Sequence, residues 1–283
     1  CHLLNSLEQR EITPINRERA FNVTPESPRA ESIAEAIYNL KEQGYSRKEA
    51  LDVIGKLDIQ PTITAHPTEA RRHSVLVKQQ NITKIISKIE RDTFTPDERK
   101  VAIHELLNEL NLLLTTDEVR REKVTVEDEV ENGMFFFTNT IWDVIPSLYE
   151  DLRESVNTYY DEEEESADIP VILKYRSWIG SDRDGNPNVT PDVTWNTALE
   201  QRSIVLDLYL EELDNLRRYL SISENFYPIS EDLRESIVED EQNYPISERF
   251  RRLYRLEPYR RKLTHIMEKL RHQKKALQTG DKS

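Results

Sequence analysis

Apolar residues recur along most of this chain at the three- and four-residue spacing of amphipathic helices. Ile33, Ile37 and Leu40 share one face of a helix that Ser27 and Pro28 open, as cap and first helical residue, and that Gly44 closes. Ser46 and Glu49 have the capping-box spacing at the head of a second helix, with Ala50, Val53, Ile54 and Leu57 as its expected buried side. Thr95, Pro96 and Glu98 open a longer helix on the same pattern, and Val101, Leu106, Leu107, Leu110 and Leu114 form its stripe. After Trp195 a still longer helix carries Leu199, Leu206, Leu210, Leu213 and Leu220. Each stripe is read as a packing surface.

Only two stretches read as strands, and they lie about 110 residues apart. Pro61 to Ala65 (PTITA) is short and rich in β-branched residues, whereas Pro170 to Ile179 (PVILKYRSWI) opens as a nearly continuous apolar run, as a strand covered on both faces does. Between them, residues 161–169 begin with DEEEE and read as a solvated acidic loop, since adjacent carboxylates repel one another. No fixed internal repeat is evident.

Composition narrows the function classes. The 283 residues are 37% hydrophobic and 33% charged, enough for an ordinary core, and no apolar run approaches the roughly 18 residues of a membrane span. With 39 basic and 53 acidic residues, the net charge of −14 disfavours nonspecific attraction to nucleic acid or to an anionic membrane. Arg251 to Lys275 reverses that bias with ten Lys or Arg against Glu257 and Glu268, and spaced charges of this kind are expected on the solvated side of a helix. Cys1 is the single cysteine, so no internal disulfide can form, in keeping with a reducing cytoplasm. The chain opens on Cys1 and its last residues follow directly on a helical pattern, so it is expected to be part of a longer polypeptide.

Each strand runs into an unusual polar cluster. Where strands give way to helices in parallel α/β architectures, side chains converge on a crevice and free helix amides attract anions. His66 stands at such a corner in ITAHPTEARRHSV; Pro67 fixes the turn, the amides of Thr68 to Ala70 are available to a phosphate or carboxylate, and Arg71 and Arg72 add charge. The residues alone leave two readings of His66 open: a histidine that caps a helix, or an imidazole that accepts and returns a proton near neutral pH. No histidine spacing suggests zinc. The second cluster, GSDRDGNP, spends two of the chain's six glycines, Gly180 and Gly185, within six residues and threads Arg183 between Asp182 and Asp184. Gly185, Asn186 and Pro187 make a tight turn by their own chemistry. Arg183 can hold an anion bidentately while the aspartates orient it, and a loop stapled by an Asp–Arg pair is equally compatible.

At these two motifs the sequence resembles the phosphoenolpyruvate carboxylase family. TAHPTEARRHSV is similar to the family's histidine signature and SWIGSDRDGNPNVT to its second N-terminal signature, in the same order and at similar separation. TTDEVRR at 115–121, IWDVIP at 141–146 and EPYRRKL at 257–263 extend the likeness over nearly the whole chain. Ser181 stands where the family commonly has glycine, and Arg72 with His73 replaces its more usual arginine pair. The resemblance implies a biotin-free, cytoplasmic carboxylation in which phosphoenolpyruvate and bicarbonate, with Mg2+ or Mn2+, give oxaloacetate and phosphate. His66 matches the family's catalytic histidine, and Arg72, Asp182, Arg183, Asp184 and Asn186 are implied to line or brace the same site.

It also implies a mostly α-helical elaboration of an eight-stranded TIM-like (β/α) barrel, assembled as a homotetramer, of which residues 1–283 are the N-terminal portion of one catalytic domain. The family's metal ligands are expected downstream of this segment. With two strands found, the segment alone is expected to be inactive and to leave both strands without partners. A different class remains open, a short noncatalytic helical protein that keeps the anion-binding corner for ligand sensing or regulation. A nucleic-acid role through Arg251 to Lys275 is the third reading.

Overall fold

The computed structural model describes residues 24–64, 73–91, 94–117, 125–160 and 168–279. The chain divides into two units, Cys1–Asp182 and Arg183–Ser283.

The first unit opens with helices α1 (Ile33–Glu42) and α2 (Arg47–Ile54). Ser32, not Ser27, caps α1: its hydroxyl accepts the Glu35 amide at 3.2 Å, while the Glu35 carboxylate accepts the Glu31 amide at 2.6 Å. Ser27 lacks an acidic residue three positions on and instead pairs with Thr24 in an isolated antiparallel bridge. At the other end Gly44 adopts φ 85°, and the bonds Tyr45 N to Leu40 O and Gly44 N to Lys41 O, 3.2 and 2.9 Å, close the helix as expected of a left-handed cap. The Ser46–Glu49 capping box of α2 is present, and Ala50 and Ile54 are buried. Leu57, beyond the Gly55 C-cap, faces solvent because the helical periodicity has ended.

Helices α3 (His73–Arg91) and α4 (Pro96–Leu114) pack on each other, with Val75, Ile82 and Ala102 buried and Asn81 donating to Glu109 at 3.2 Å. The Thr95–Glu98 box and Pro96 start α4 as expected. Its expected core stripe holds only in part: Leu106 and Leu110 are half-buried and Ala102 is buried, whereas Val101, Leu107 and Leu114 are 58%, 52% and 82% exposed.

A helical run then extends from α5 (Val126–Phe136) through a π-helical turn (Phe137–Ile141) into α6 (Trp142–Tyr160). The wider turn adds a residue to the winding, so the buried face shifts phase between α5 and α6. On α5 the buried residues are Val126, Val130, Gly133, Met134 and Phe135; on α6 they are Leu152, Ser155, Val156 and Tyr159. Thr138 and Asn139 bond back to the Phe135 carbonyl at 3.2 and 3.0 Å and occupy groups that the altered winding frees. Ile37, Ile54, Leu152, Val156, Tyr159 and Ile172 form one core cluster that joins α1, α2, α6 and the approach to the second strand.

The two expected strands pair with each other, in parallel. Their regular parts are β1 (Thr62–Ile63) and β2 (Arg176–Ser177), in register Thr62 to Arg176 and Ile63 to Ser177. The ladder reaches further than these cores: Ile59 N to Ile172 O, Lys174 N to Ile59 O, Arg176 N to Pro61 O and Trp178 N to Ile63 O span 2.8 to 3.0 Å. Residues 59–63 and 172–178 therefore satisfy one another, which corrects the expectation of unpaired strands. Tyr149 of α6 secures the entry to β2, its hydroxyl oxygen accepting the amides of Ile172 and Leu173 at 3.0 and 3.1 Å.

In the second unit α7 (Pro191–Tyr219) starts four residues before Trp195, with Thr190 as cap and Pro191 in the first turn. Helices α8 (Glu231–Asn243), α9 (Glu248–Leu253) and α10 (Pro258–Thr279) complete the described part, with α10 packed against the other three. The basic stretch that the sequence places on a solvated face is largely consumed by ion pairs. Lys262 and Lys269 reach Asp240, itself 3% exposed, at 2.6 and 3.0 Å. Arg251 and Arg261 reach Glu241, the latter at 3.1 Å, and the fully buried His265 sets Nε2 3.3 Å from Glu241 and Nδ1 2.8 Å from the Tyr244 carbonyl. Arg260 donates to the Arg217 and Arg218 carbonyls at 2.9 and 2.8 Å, a positive charge on the negative end of α7.

Burial by itself pushes the Asp240 carboxyl up, but hydrogen bonds from Lys262 and Lys269 and their charges outweigh it and hold the group below its ordinary range. A carboxyl lowered in the folded state stabilises fully above its unfolded value near about pH 4 and loses that stabilisation as pH falls through the folded value. Asp240→Ala is expected to destabilise the second unit by about 2–4 kcal/mol at neutral pH, because two ammonium groups lose their buried partner. The difference from wild type in urea unfolding should shrink in acid; a difference independent of pH down to the acid transition would refute the assignment.

Candidate functional site

In a parallel pair both strands leave the sheet at the same edge. β1 exits at Ile63 and β2 at Ser177, which are partners in the register, so the two polar motifs set out from adjacent points. His66 follows Ile63 by three positions; it lies outside the described residues, as do Arg71 and Arg72.

The β2 exit is built by one carbonyl. The Trp178 oxygen accepts the Ser181 amide at 3.0 Å, the Asp182 amide at 2.9 Å and the Ser181 hydroxyl at 2.9 Å. Such convergence reverses the chain sharply, and Gly180 supplies the φ of 75° that the reversal needs. Ser181 does not take a positive φ, so glycine is not required there, and its hydroxyl reinforces the turn. Ile179 is buried against α5: a Cβ placed on Gly133 would meet Ile179 Cδ1 at 2.5 Å. Phe137 meets Tyr175 edge-on, with ring centroids 6.0 Å apart, four residues along in both segments. Across the ladder, Lys174 pairs with Asp58 at 3.0 Å and Arg176 Nε donates to Gln60 at 2.6 Å. Hydrogen bonds from Lys174 and then Gln60 hold the Asp58 carboxyl below its ordinary range.

The rest of the motif opens the second unit. Gly185 takes φ 70°, as the turn chemistry requires, with the Asn186 amide donating to the Arg183 carbonyl at 3.3 Å. Asn186 turns its own side chain inward: Oδ1 accepts the Asn188 amide at 3.1 Å and its carbonyl accepts the Val189 amide at 3.2 Å. Val189 is buried and Thr190 caps α7 by accepting the Val193 amide at 3.3 Å. Asn186 thus braces the loop, while the side chains of Asp182, Arg183 and Asp184 are exposed. An exposed guanidinium on a braced turn can grip a phosphate or carboxylate bidentately. Among the described residues no group of three or more His, Cys, Asp or Glu side chains is placed to hold a metal ion. The Gly133 hole, the Tyr149 clamp and the π-helical turn are missed by periodicity; a lone glycine inside a helical pattern was the one available signal for the first.

The features so far define a class: a mainly helical protein with a parallel strand pair whose carboxyl ends lead into a histidine-bearing motif and a braced Asp-Arg-Asp loop. Sequence comparison makes it specific. The family model for phosphoenolpyruvate carboxylase matches residues 1–283, and the chain belongs to that family. It is 53% identical to phosphoenolpyruvate carboxylase of Rhodothermus marinus over 223 residues, covering 79% of this chain and 24% of the relative. To the Roseiflexus castenholzii enzyme it is 37% identical over 271 residues, 95% of this chain and 28% of the relative. For that of Prochlorococcus marinus (strain MIT 9301) the identity is 36% over 244 residues, 85% and 24% respectively. The chain thus spans about a quarter of the length of the curated relatives it matches. Among the described residues no helix is long and apolar enough to cross a membrane.

Gly185 has open space around it, so a side chain there meets no neighbour and only the backbone is tested. Gly185→Ala is expected to cost about 1–2 kcal/mol of stability in the second unit, from the left-handed φ alone, and Gly185→Asn distinctly less. Equal unfolding midpoints for the two variants would contradict this account of the turn.

Proposed function

We propose that this chain is the histidine-bearing portion of a cytoplasmic phosphoenolpyruvate carboxylase, which converts phosphoenolpyruvate and bicarbonate to oxaloacetate and phosphate. The observation that carries the reading is the family match over all 283 residues, joined to a register that starts both signature motifs at one sheet edge. In this reading the two strands belong to a larger TIM-like barrel in a homotetramer. A bicarbonate oxygen attacks phosphorus and the bond to the enol oxygen breaks, leaving carboxyphosphate and the enolate of pyruvate. His66 takes the carboxyphosphate proton as carbon dioxide and phosphate separate, and the enolate carbon then bonds to carbon dioxide. Arg183 holds the anionic substrate, Asp182 and Asp184 orient it, Asn186 braces the turn, and Arg72 adds charge beside His66.

The family chemistry uses Mg2+ or Mn2+, and no biotin. The described residues do not themselves make a metal site, so the roles above are confined to this chain's own side chains. The 283 residues by themselves are expected to give no oxaloacetate.

In the intact protein, His66→Asn should lower oxaloacetate formation by about 10²–10⁴-fold while phosphoenolpyruvate binding persists. Undiminished carboxylation in that variant would remove His66 from the chemistry. Arg183→Lys keeps the charge and loses the planar fork, so kcat/KM should fall about 10–100-fold; wild-type kinetics would exclude bidentate anion binding. Should the intact protein bind phosphoenolpyruvate without turnover, the noncatalytic anion-binding reading would replace this one.

A further inference from the structure

The residue just before the Gly180 turn docks where a helix carries no side chain. Ile179 is 6% exposed and points into the surface of α5, where Gly133 leaves the space: a Cβ at 133 would stand 2.5 Å from Ile179 Cδ1 and 3.8 Å from Cγ1. A methyl at 133 would force something to shift, and the atom it meets first is the free end of the Ile179 side chain. Gly133 adopts no positive φ, and glycine in a helix interior costs about 1 kcal/mol against alanine. The fold accepts that cost where Ile179 docks.

What hangs on Ile179 is the turn. Its neighbour Trp178 supplies the carbonyl that holds Ser181 and Asp182, and the chain passes from Asp182 straight into Arg183. A second contact limits the freedom of the pair, since Phe137 meets Tyr175 edge-on at 6.0 Å. Helix and strand are thereby fixed at 133 with 179 and at 137 with 175, antiparallel to each other. Crowding at the first point is relieved either by rotation of the Ile179 terminal methyl or by withdrawal of the backbone of 178–182, and the ladder and the Tyr175 contact oppose a slide of the strand.

We propose that Gly133 and Ile179 are positioning residues for the turn that ends β2: the absent side chain at 133 sets the depth at which Ile179 docks, and that depth sets where Ser181 and Asp182 stand. Its consequence for catalysis rests on the carboxylase reading above. Misplacing a substrate-holding group by about 1 Å can lower a rate by about 10²-fold.

The test is made in the intact protein with Gly133→Ala, Ile179→Val and the double variant. Ile179→Val removes Cδ1, the atom that the new methyl meets. Gly133→Ala is expected to reduce kcat/KM for phosphoenolpyruvate at least about tenfold, mostly in kcat, and the double variant to return to within about threefold of Ile179→Val. Hydrogen exchange at the Ser181 and Asp182 amides, read by mass spectrometry, should be faster in Gly133→Ala and restored in the double variant. Wild-type kinetics and exchange in Gly133→Ala would overturn the proposal, as would a loss that Ile179→Val fails to rescue. If the intact wild-type protein does not carboxylate phosphoenolpyruvate, the functional reading falls, and exchange alone decides the positioning role: faster in Gly133→Ala upholds it, unchanged overturns it. If Gly133→Ala does not fold, Ile179→Ala loosens the same contact from the other side, and unaltered exchange at Ser181 and Asp182 overturns the proposal.

Discussion

The first unit depends on a parallel ladder between two segments about 110 residues apart. Residues 59–63 and 172–178 have no regular partner other than each other among the described residues, and neither is long enough to persist alone. Their pairing closes a loop that contains α3 through α6, a large entropic cost that local hydrogen bonding does not offset. The offset comes from burial: Ile172 joins Ile37, Ile54, Leu152, Val156 and Tyr159 in one cluster, and the Tyr149 hydroxyl takes up the amides at the strand's entry. A parallel register then has a functional corollary that an antiparallel one lacks, because both chains leave the sheet at one edge.

Helix α5 acts on the same strand from its other end. Tyr149 holds the start of β2, Phe137 meets Tyr175, and the space at Gly133 receives Ile179. The π-helical turn makes this division possible. With regular winding, the faces of α5 and α6 would stay in phase; the extra residue turns one face toward Ile179 and lets the other serve the cluster with α1 and α2. The second unit is stabilised by a different means, with acidic residues of α8 enclosed by basic ones of α9 and α10. Asp240 is satisfied by two lysines and Glu241 by two arginines, with His265 beside it.

Much of this was legible in the sequence wherever the signal was local. The Ser46–Glu49 and Thr95–Glu98 boxes, the Gly44 stop and the left-handed turn at Gly185 rest on bonds between residues a few positions apart, and all are present. The cap of α1 was misplaced because Ser27 with Pro28 looks like a start, while Ser32 with Glu35 supplies the hydrogen bonds. The expected stripes of α1 and α7 are buried or half-buried, as is that of α2 apart from Leu57, and that of α4 holds only in part. The α4 leucines have the right spacing and Leu114 is still 82% exposed, since periodicity says which residues share a face and not whether anything covers it. The basic run 251–275 is solvated in part, at Arg252, Arg255, Arg271 and Lys275, but charges in a sequence do not reveal the carboxylates that α8 sets against the others.

The sequence by itself determined the family, the two strands, the two signature motifs and the tight turn at Gly185, because each is written in neighbouring residues. Only the tertiary structure decided that the strands pair in parallel, that a glycine in one helix makes room for the isoleucine before the loop, and that six of the ten basic residues in 251–275 are partners of buried or half-buried acids or of a helix end. Those facts depend on distances between residues far apart in the chain, and such distances are set by packing density and the need to satisfy buried polar groups, neither of which a local pattern carries.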